Sequence, residues 1–433
     1  MQPVGSLVLV VFVGSYLLIS SERVNRAAMA VTGMGLAGII LWLAHNVDPS
    51  QGATFRELIE HIEWHTILFI IAMMVIVTVA SSSGMFQFIA ITIARSTQGD
   101  TRRLFILFNV FVFFISLFFD TVSTILIIAP LTIEVCKALD IDFRPFLISE
   151  AVVCNFASIP SIVGAVPNLV IADKTGISAG SLFLWLLPLS ALLMIISLAL
   201  LLRWFDDTFV LASEDLVHQM MLIDPELMIR SRKDFYMSVV AIVILVLGFT
   251  VGVSVGFEPV LVATVVAFVM LLFTRERVDN ILAKIGWGTI LFLIGVFGLV
   301  ASLDITGIID DIAAAVGLLV GGHISLAVVF LVWVPAVLSA VIDNIPVSVV
   351  LAPIVIQLSG VSPVLPAVLI FAVNVGGYLL PIGAPANLLV LSMAEQQRTP
   401  ISLVSFARVA SVLAVIHLLV GTGWLILLAL LVH

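Results

Sequence analysis

Apolar runs of 16 to 24 residues, separated by short polar breaks, recur along the chain from end to end. Each run is close to the ~20 residues a helix needs to cross about 30 Å of hydrocarbon. Lipid excludes open sheet edges, so the runs predict helices rather than strands. Spans are expected at 3–20, 27–44, 65–80, 146–173 and 181–202, and again at 236–254, 257–274, 287–303, 364–391 and 403–432. Between the third and fourth span of each set lie two apolar stretches joined at a polar tip, 104–119 with 124–139 and 324–341 with 347–358, each read as a helical hairpin. The longest polar stretch, Trp204 to Asp234, reads as a soluble connector with a short helix over 213–221.

The two sets repeat one another. Trp64-His65-Thr66-Ile67-Leu68-Phe69 aligns with Trp287-Gly288-Thr289-Ile290-Leu291-Phe292 at an offset of 223, which also carries Asp120 onto Asp343 and Ala129-Pro130 onto Ala352-Pro353. After a shorter loop the offset becomes 219, and Asn155 falls on Asn374, Gly164-Ala165 on Gly383-Ala384 and Asn168 on Asn387. Chance likeness of greasy segments would not align the polar residues. Five crossings plus one hairpin make an odd number of crossings per copy, so the second copy is expected upside down. The predicted fold is an all-α polytopic membrane protein of two inverted repeats, 1–203 and 235–433, joined by the cytoplasmic connector 204–234. Each repeat has five spans, one hairpin and one broken helix.

Composition agrees and adds orientation. Hydrophobic residues make up 62% of the 433 and charged ones 10%, against roughly 25% charged in a soluble domain. The first run lacks a basic leader and Ser21-Glu22-Arg23 is a poor cleavage site, so it reads as a retained span. With the N-terminus outside, sixteen cations face the cytoplasm: Arg23, Arg26, Arg95, Arg102, Arg103, Lys137, Arg144, Arg203, Arg230, Arg232, Lys233, Arg275, Arg277, Lys284, Arg398 and Arg408. Only Arg56 and Lys174 fall outside. By the positive-inside rule both termini are then external, in the cell's inner membrane. Cys136 and Cys154 are too few for a disulfide framework or a zinc site. No Walker A, Rossmann or HExxH pattern occurs, which argues against an ATP-driven pump, a cofactor enzyme or a metalloprotease on this chain. Nucleic acid is not an expected partner. Lipid, protons and a small inorganic solute are expected ones, and a homodimer and a separate ATPase subunit stay open as further partners.

The chemistry concentrates at four breaks. Hairpin tips read Asp120-Thr121-Val122-Ser123 and Asp343-Asn344-Ile345-Pro346-Val347-Ser348. The fourth spans are interrupted by runs that open with Asn155 and Asn374, close with Asn168 and Asn387, and include Ser158 and Ser161. Proline and glycine there free backbone groups that a long helix would keep paired. An aspartate at membrane depth costs about 2.5–3.5 kcal/mol on insertion scales, so Asp120 and Asp343 are candidates for proton or ion coupling. The plainer reading is that each only caps the returning helix. Thr121, Ser123, Asn155, Ser158, Ser161, Asn168, Asn344, Ser348, Asn374 and Asn387 are candidate solute contacts, with interhelical hydrogen bonding as the plainer role of the asparagines. His45, His61 and His65 read as interfacial. Glu150 reads either as a proton-relay group or as a neighbour of Arg144.

At these motifs the sequence resembles the ArsB/NhaD family of the ion transporter superfamily, which includes arsenite efflux permeases, sodium–proton antiporters and the melanosomal P protein. The matching pieces are DTVSTILIIAPLTI at 120–133, DNIPVSVVLAPIV at 343–355, and the broken spans ending GAVPN and GAPAN. The resemblance implies two hairpins and two discontinuous helices around one site, with elevator-like or rocking alternation of access. Ala165, where the antiporter and P-protein branches favour an acid, is similar to the arsenite branch; the DNIP tip is also at home in the other two. The expected function is proton-coupled efflux of arsenite or antimonite, with sodium–proton antiport as the alternative.

Overall fold

A computed structural model describes residues 3–20, 24–49, 51–252, 256–320, 323–358 and 361–432. Ser21, Glu22 and Arg23, which entered the cleavage and charge readings, lie outside the described residues. The first half runs α1 (Pro3–Ser20), α2 (Arg26–Val47), α3 (Phe55–Glu60), α4 (Trp64–Ser82), α5 (Met85–Ser96), α6 (Thr101–Ser116), α7 (Thr121–Ala138), α8 (Arg144–Ala157), α9 (Val166–Thr175) and α10 (Ala179–Trp204). The connector holds α11 (Glu214–Leu222) between two 3-10 turns. The second half follows with α12 (Arg232–Leu247), α13 (Pro259–Phe273), α14 (Val278–Ala283), α15 (Trp287–Ile305), α16 (Ile308–Val320), α17 (Ile324–Ile342), α18 (Asn344–Leu358), α19 (Leu365–Gly376), α20 (Pro385–Gln396) and α21 (Leu403–Leu431).

Seven of the described helices are long and apolar enough to span a bilayer, and the chain is an all-helical polytopic membrane protein. Hydropathy assigned no element to α5 or α16. Both are short and amphipathic, and neither reaches spanning length. The span expected at 236–254 divides, because α12 gives way to a π-helical turn at Gly248–Gly252.

Packing contacts recur with the halves exchanged. Helix α2 packs on α15 as α13 packs on α4; α9 meets α18 as α20 meets α7; and α6 meets α8 as α17 meets α19. Small details follow suit: Trp64 Nε1 donates to Ile59 O and Trp287 Nε1 to Leu282 O, each at 3.0 Å. The most enclosed elements are α8 and α19, which are buried on every side from Pro145 to Ala157 and from Leu365 to Gly376. Such all-round apolar helices belong inside a bundle, and they hold the helix breaks at its centre.

Candidate functional site

The two hairpins turn at carboxylates, as their sequences suggest, but the two turns differ. Asp120 sits in extended backbone at the N-cap of α7, where its Oδ1 accepts from the Val122 and Ser123 amides at 3.1 Å and its Oδ2 from Ser123 Oγ at 2.5 Å. This is a satisfied cap. Asp343 has φ of 101°, a region that side chains with a Cβ rarely enter. Its carboxylate accepts from the Ile345 amide at 3.2 Å. Strain of this kind persists only where the surrounding structure imposes it, and it clusters at functional sites.

Both aspartates line one cavity of about 580 Å³, together with Thr121, Asn344, Asn25, Arg26, Thr289 and Ser392. Pro167 and Pro385, near the starts of α9 and α20, also line it. Six helix starts, those of α2, α7, α9, α15, α18 and α20, therefore converge on one volume. Helix N-termini carry partial positive charge and unpaired amides, which suit an anion or a polar solute. Two carboxylates lining the same cavity suit a cation or a proton.

The four asparagines lie elsewhere. Asn155, Asn168, Asn374 and Asn387 are fully buried, and none lines the cavity. They brace the two breaks against each other. Asn168 Nδ2 donates to Ser158 O and Ser161 O at 2.8 Å, and Asn387 Nδ2 donates to Gly377 O at 2.9 Å and Leu380 O at 3.5 Å. These carbonyls lie just past the ends of α8 and α19, where Ser158 O, Ser161 O and Leu380 O also accept turn amides. Across the halves, Asn374 Nδ2 donates to Asn168 Oδ1 at 2.6 Å, and Asn155 Nδ2 to Asn387 Oδ1 at 3.5 Å. Ser158 Oγ reaches Asn374 Oδ1 at 3.3 Å. Ser348 Oγ donates to Ile345 O at 2.6 Å within its own helix, and Ser161 lines a separate cavity of about 140 Å³ with Phe118 and Phe249.

Glycine at the end of each break is a space requirement. A Cβ on Gly164 would stand 2.6 Å from Ser116 O and 2.8 Å from Ser158 O; on Gly383 it would stand 2.8 Å from Gly377 O and 3.0 Å from Ser339 O. Sequence reasoning passed over Asn25, Arg26, Thr289 and Ser392. The one available signal was the repeated Trp-x-Thr-Ile-Leu-Phe motif, whose second copy places Thr289 in the cavity wall while the first buries Thr66.

Comparison with known proteins matches residues 16–364 to the family model described as CitMHS, citrate transporter. The chain belongs to this citrate transporter family. It is 31% identical to a 46 kDa membrane protein of Mycobacterium leprae over 94% of this chain and 95% of that protein. It is 30% identical to an uncharacterized transporter of Mycobacterium tuberculosis over 96% of each. Similarity to the human P protein is 24% over 96% of this chain and 59% of that protein. The family member is thus a membrane transporter. Likeness to the P protein agrees with the wider kinship read from the hairpin tips, whereas the matching family model is the citrate-transporter one, not one for arsenite permeases or sodium–proton antiporters.

Proposed function

We propose that the chain is a proton-coupled secondary transporter, with the cavity between the hairpin tips as its alternating-access site. One observation carries this reading: Asp120 and Asp343, 223 residues apart, face a single volume. Exchange of contacts between the halves, together with the charge count of the loops, supports inverted repeats on either side of 204–234. In that orientation Arg26 and the Trp287 end of α15 lie toward the cytoplasm, and the cavity is open inward. Asp343, with strained backbone and spare acceptor capacity, is the better proton or cation acceptor. Asp120 is committed to its cap and contributes field.

For the cargo we favour arsenite or antimonite. Near neutral pH arsenite is an uncharged trihydroxide, for which Thr121, Asn344, Asn25, Thr289 and Ser392 offer hydroxyl and amide partners that two carboxylates would not repel. The family description and Arg26 in the wall favour a second reading, a citrate-like anion. Two aspartates would require such an anion to enter with a cation as escort. Everted vesicles with an acid-loaded lumen test these readings against arsenite, antimonite, sodium and citrate with magnesium. Arsenite-triggered proton release that disappears when Asp120 and Asp343 are both changed to Asn is the expected result. Sodium-triggered alkalinisation without arsenite accumulation would replace the cargo, and full coupling in the double variant would remove the role of the aspartates.

A further inference from the structure

Glu150 is the deepest carboxyl in the described structure that the cavity does not use. It is wholly buried on α8. Its Oε1 accepts from Thr132 Oγ1 of α7 at 2.6 Å, and its Oε2 has no hydrogen-bond partner. Arg144, two turns earlier and a natural candidate counter-ion, is instead held in a two-pronged pair with Asp142 at 2.7–3.0 Å. Among the described residues no ion pair includes Glu150. The charge of Glu150 acts on the buried thiols of Cys136 on α7 and Cys154 on α8, on which Asp142 and Asp120 respectively also act. Helices α6, α10, α19, α20 and α21 also pack on α8, and none of them bonds to the Glu150 carboxyl. His417 of α21 is occupied by Ser197 and Tyr378.

The second half supplies an internal control. At the offsets of the repeat, Thr132 corresponds to Val355 and Glu150 to Leu369, both fully buried. The equivalent buried positions are therefore apolar in one half and a hydrogen-bonded hydroxyl and carboxyl in the other. Burying a carboxyl without a cation costs several kcal/mol, which a Val–Leu pair avoids. The architecture does not need the acid, so its presence in one half calls for a task. Its position suggests one. It stands five residues before Asn155, between the break that follows α8 and the start of α8, where Arg144 pairs with Asp142.

We propose that Glu150 is a second proton-binding site of the transport cycle, loaded in the conformation described here. This rests on the proton-coupled reading above. In the loaded state Glu150 is a neutral acid that carries its proton on Oε2, while Oε1 accepts from the Thr132 hydroxyl. On release the Oε2–H bond breaks, the proton passes to water that enters from the Arg144 end, and the Thr132 hydroxyl goes on donating to the carboxylate. Reloading returns the proton to Oε2. Thr132 serves both states as a donor, because the carbonyl oxygen of the acid and the carboxylate both accept.

Infrared spectroscopy of the whole protein reconstituted in lipid reads this directly. Wild type is expected to show a protonated-carboxyl band that Glu150→Gln lacks and that Thr132→Val shifts to higher frequency, because the carboxyl loses its partner. Glu150→Leu copies the natural residue at the equivalent position of the second half; it is expected to lack the band as well and keeps the comparison available if the Gln variant does not fold. With arsenite as probe, Glu150→Gln is expected to lose proton-coupled flux although it retains an acceptor for Thr132, which a merely structural pair would not do. Identical carboxyl spectra in wild type and both Glu150 variants would overturn the proposal, as would wild-type coupling in Glu150→Gln. If arsenite is not the cargo, wild type itself is silent in the flux arm while the infrared arm still decides.

Discussion

Replacing Asn168 with Ala removes three hydrogen bonds from the most enclosed part of the molecule. Its amide serves Ser158 O and Ser161 O at 2.8 Å and its carbonyl receives Asn374 Nδ2 at 2.6 Å. Hydrogen bonds between membrane helices average about 0.6 kcal/mol and reach about 1.7 kcal/mol, so the loss should be about 2–5 kcal/mol. The repeat-related Asn387 makes the same kinds of contact less well, with one at 2.9 Å and two at 3.5 Å. Bonds at 3.5 Å are weak, and Asn387→Ala should cost about 1 kcal/mol. Reversible unfolding of both variants in mixed micelles measures the difference. A cycle of Asn168→Ala with Asn374→Ala should return a coupling of about 0.6–1.7 kcal/mol. Equal costs for Asn168→Ala and Asn387→Ala, or a larger cost at Asn387, would refute the assignment of these asparagines as unequal braces.

Three further perturbations separate roles that overlap in the wild type. Asp120→Asn keeps a side chain able to cap α7 and should change stability by only a few tenths of a kcal/mol, whereas Asp120→Ala should cost about 1 kcal/mol; thermal unfolding in detergent compares them. A Cβ on Gly421 would lie 1.9 Å from the buried ring of Phe371. Gly421→Ala should therefore destabilise by about 1–3 kcal/mol and be rescued in part by Phe371→Leu, with unrescued or absent destabilisation counting against the α19–α21 packing. On the exposed helix α3, the Thr54 amide and hydroxyl hold the Glu57 carboxyl below its ordinary pKa. The cap is accordingly intact above the ordinary value and weakens as pH falls through the depressed one. Thr54→Ala keeps the amide and should reduce that acid-side loss only by the hydroxyl's share, whereas Glu57→Gln should abolish it, in a pH series of melting temperatures.

Much of the architecture was legible because it depends on run length and repeated identity, both local properties of the chain. Both hairpins, both broken helices and the connector helix at Glu214–Leu222 lie within a few residues of their expected positions. Helices α5 and α16 escaped because 12 and 13 residues are too short to register as spans. At the site, the sequence singled out Asp120, Asp343, Thr121 and Asn344, which share the cavity, but gave the same weight to asparagines that do not face it.

What the sequence determined by itself is therefore the helical membrane class, the position of each break and the pairing of residues between the halves. Tertiary structure alone decided which polar groups meet a cavity and which meet one another. Successive residues on a helix point about 100° apart, and packing of neighbouring helices fixes that rotation. The repeated letters Asp and Asn cannot reveal that Asp120 is a relaxed cap while Asp343 is strained, or that Asn155 and Asn374 face their partners across the bundle. Those differences arise from contacts between elements more than two hundred residues apart, where a few tenths of an ångström separate a strong hydrogen bond from a weak one.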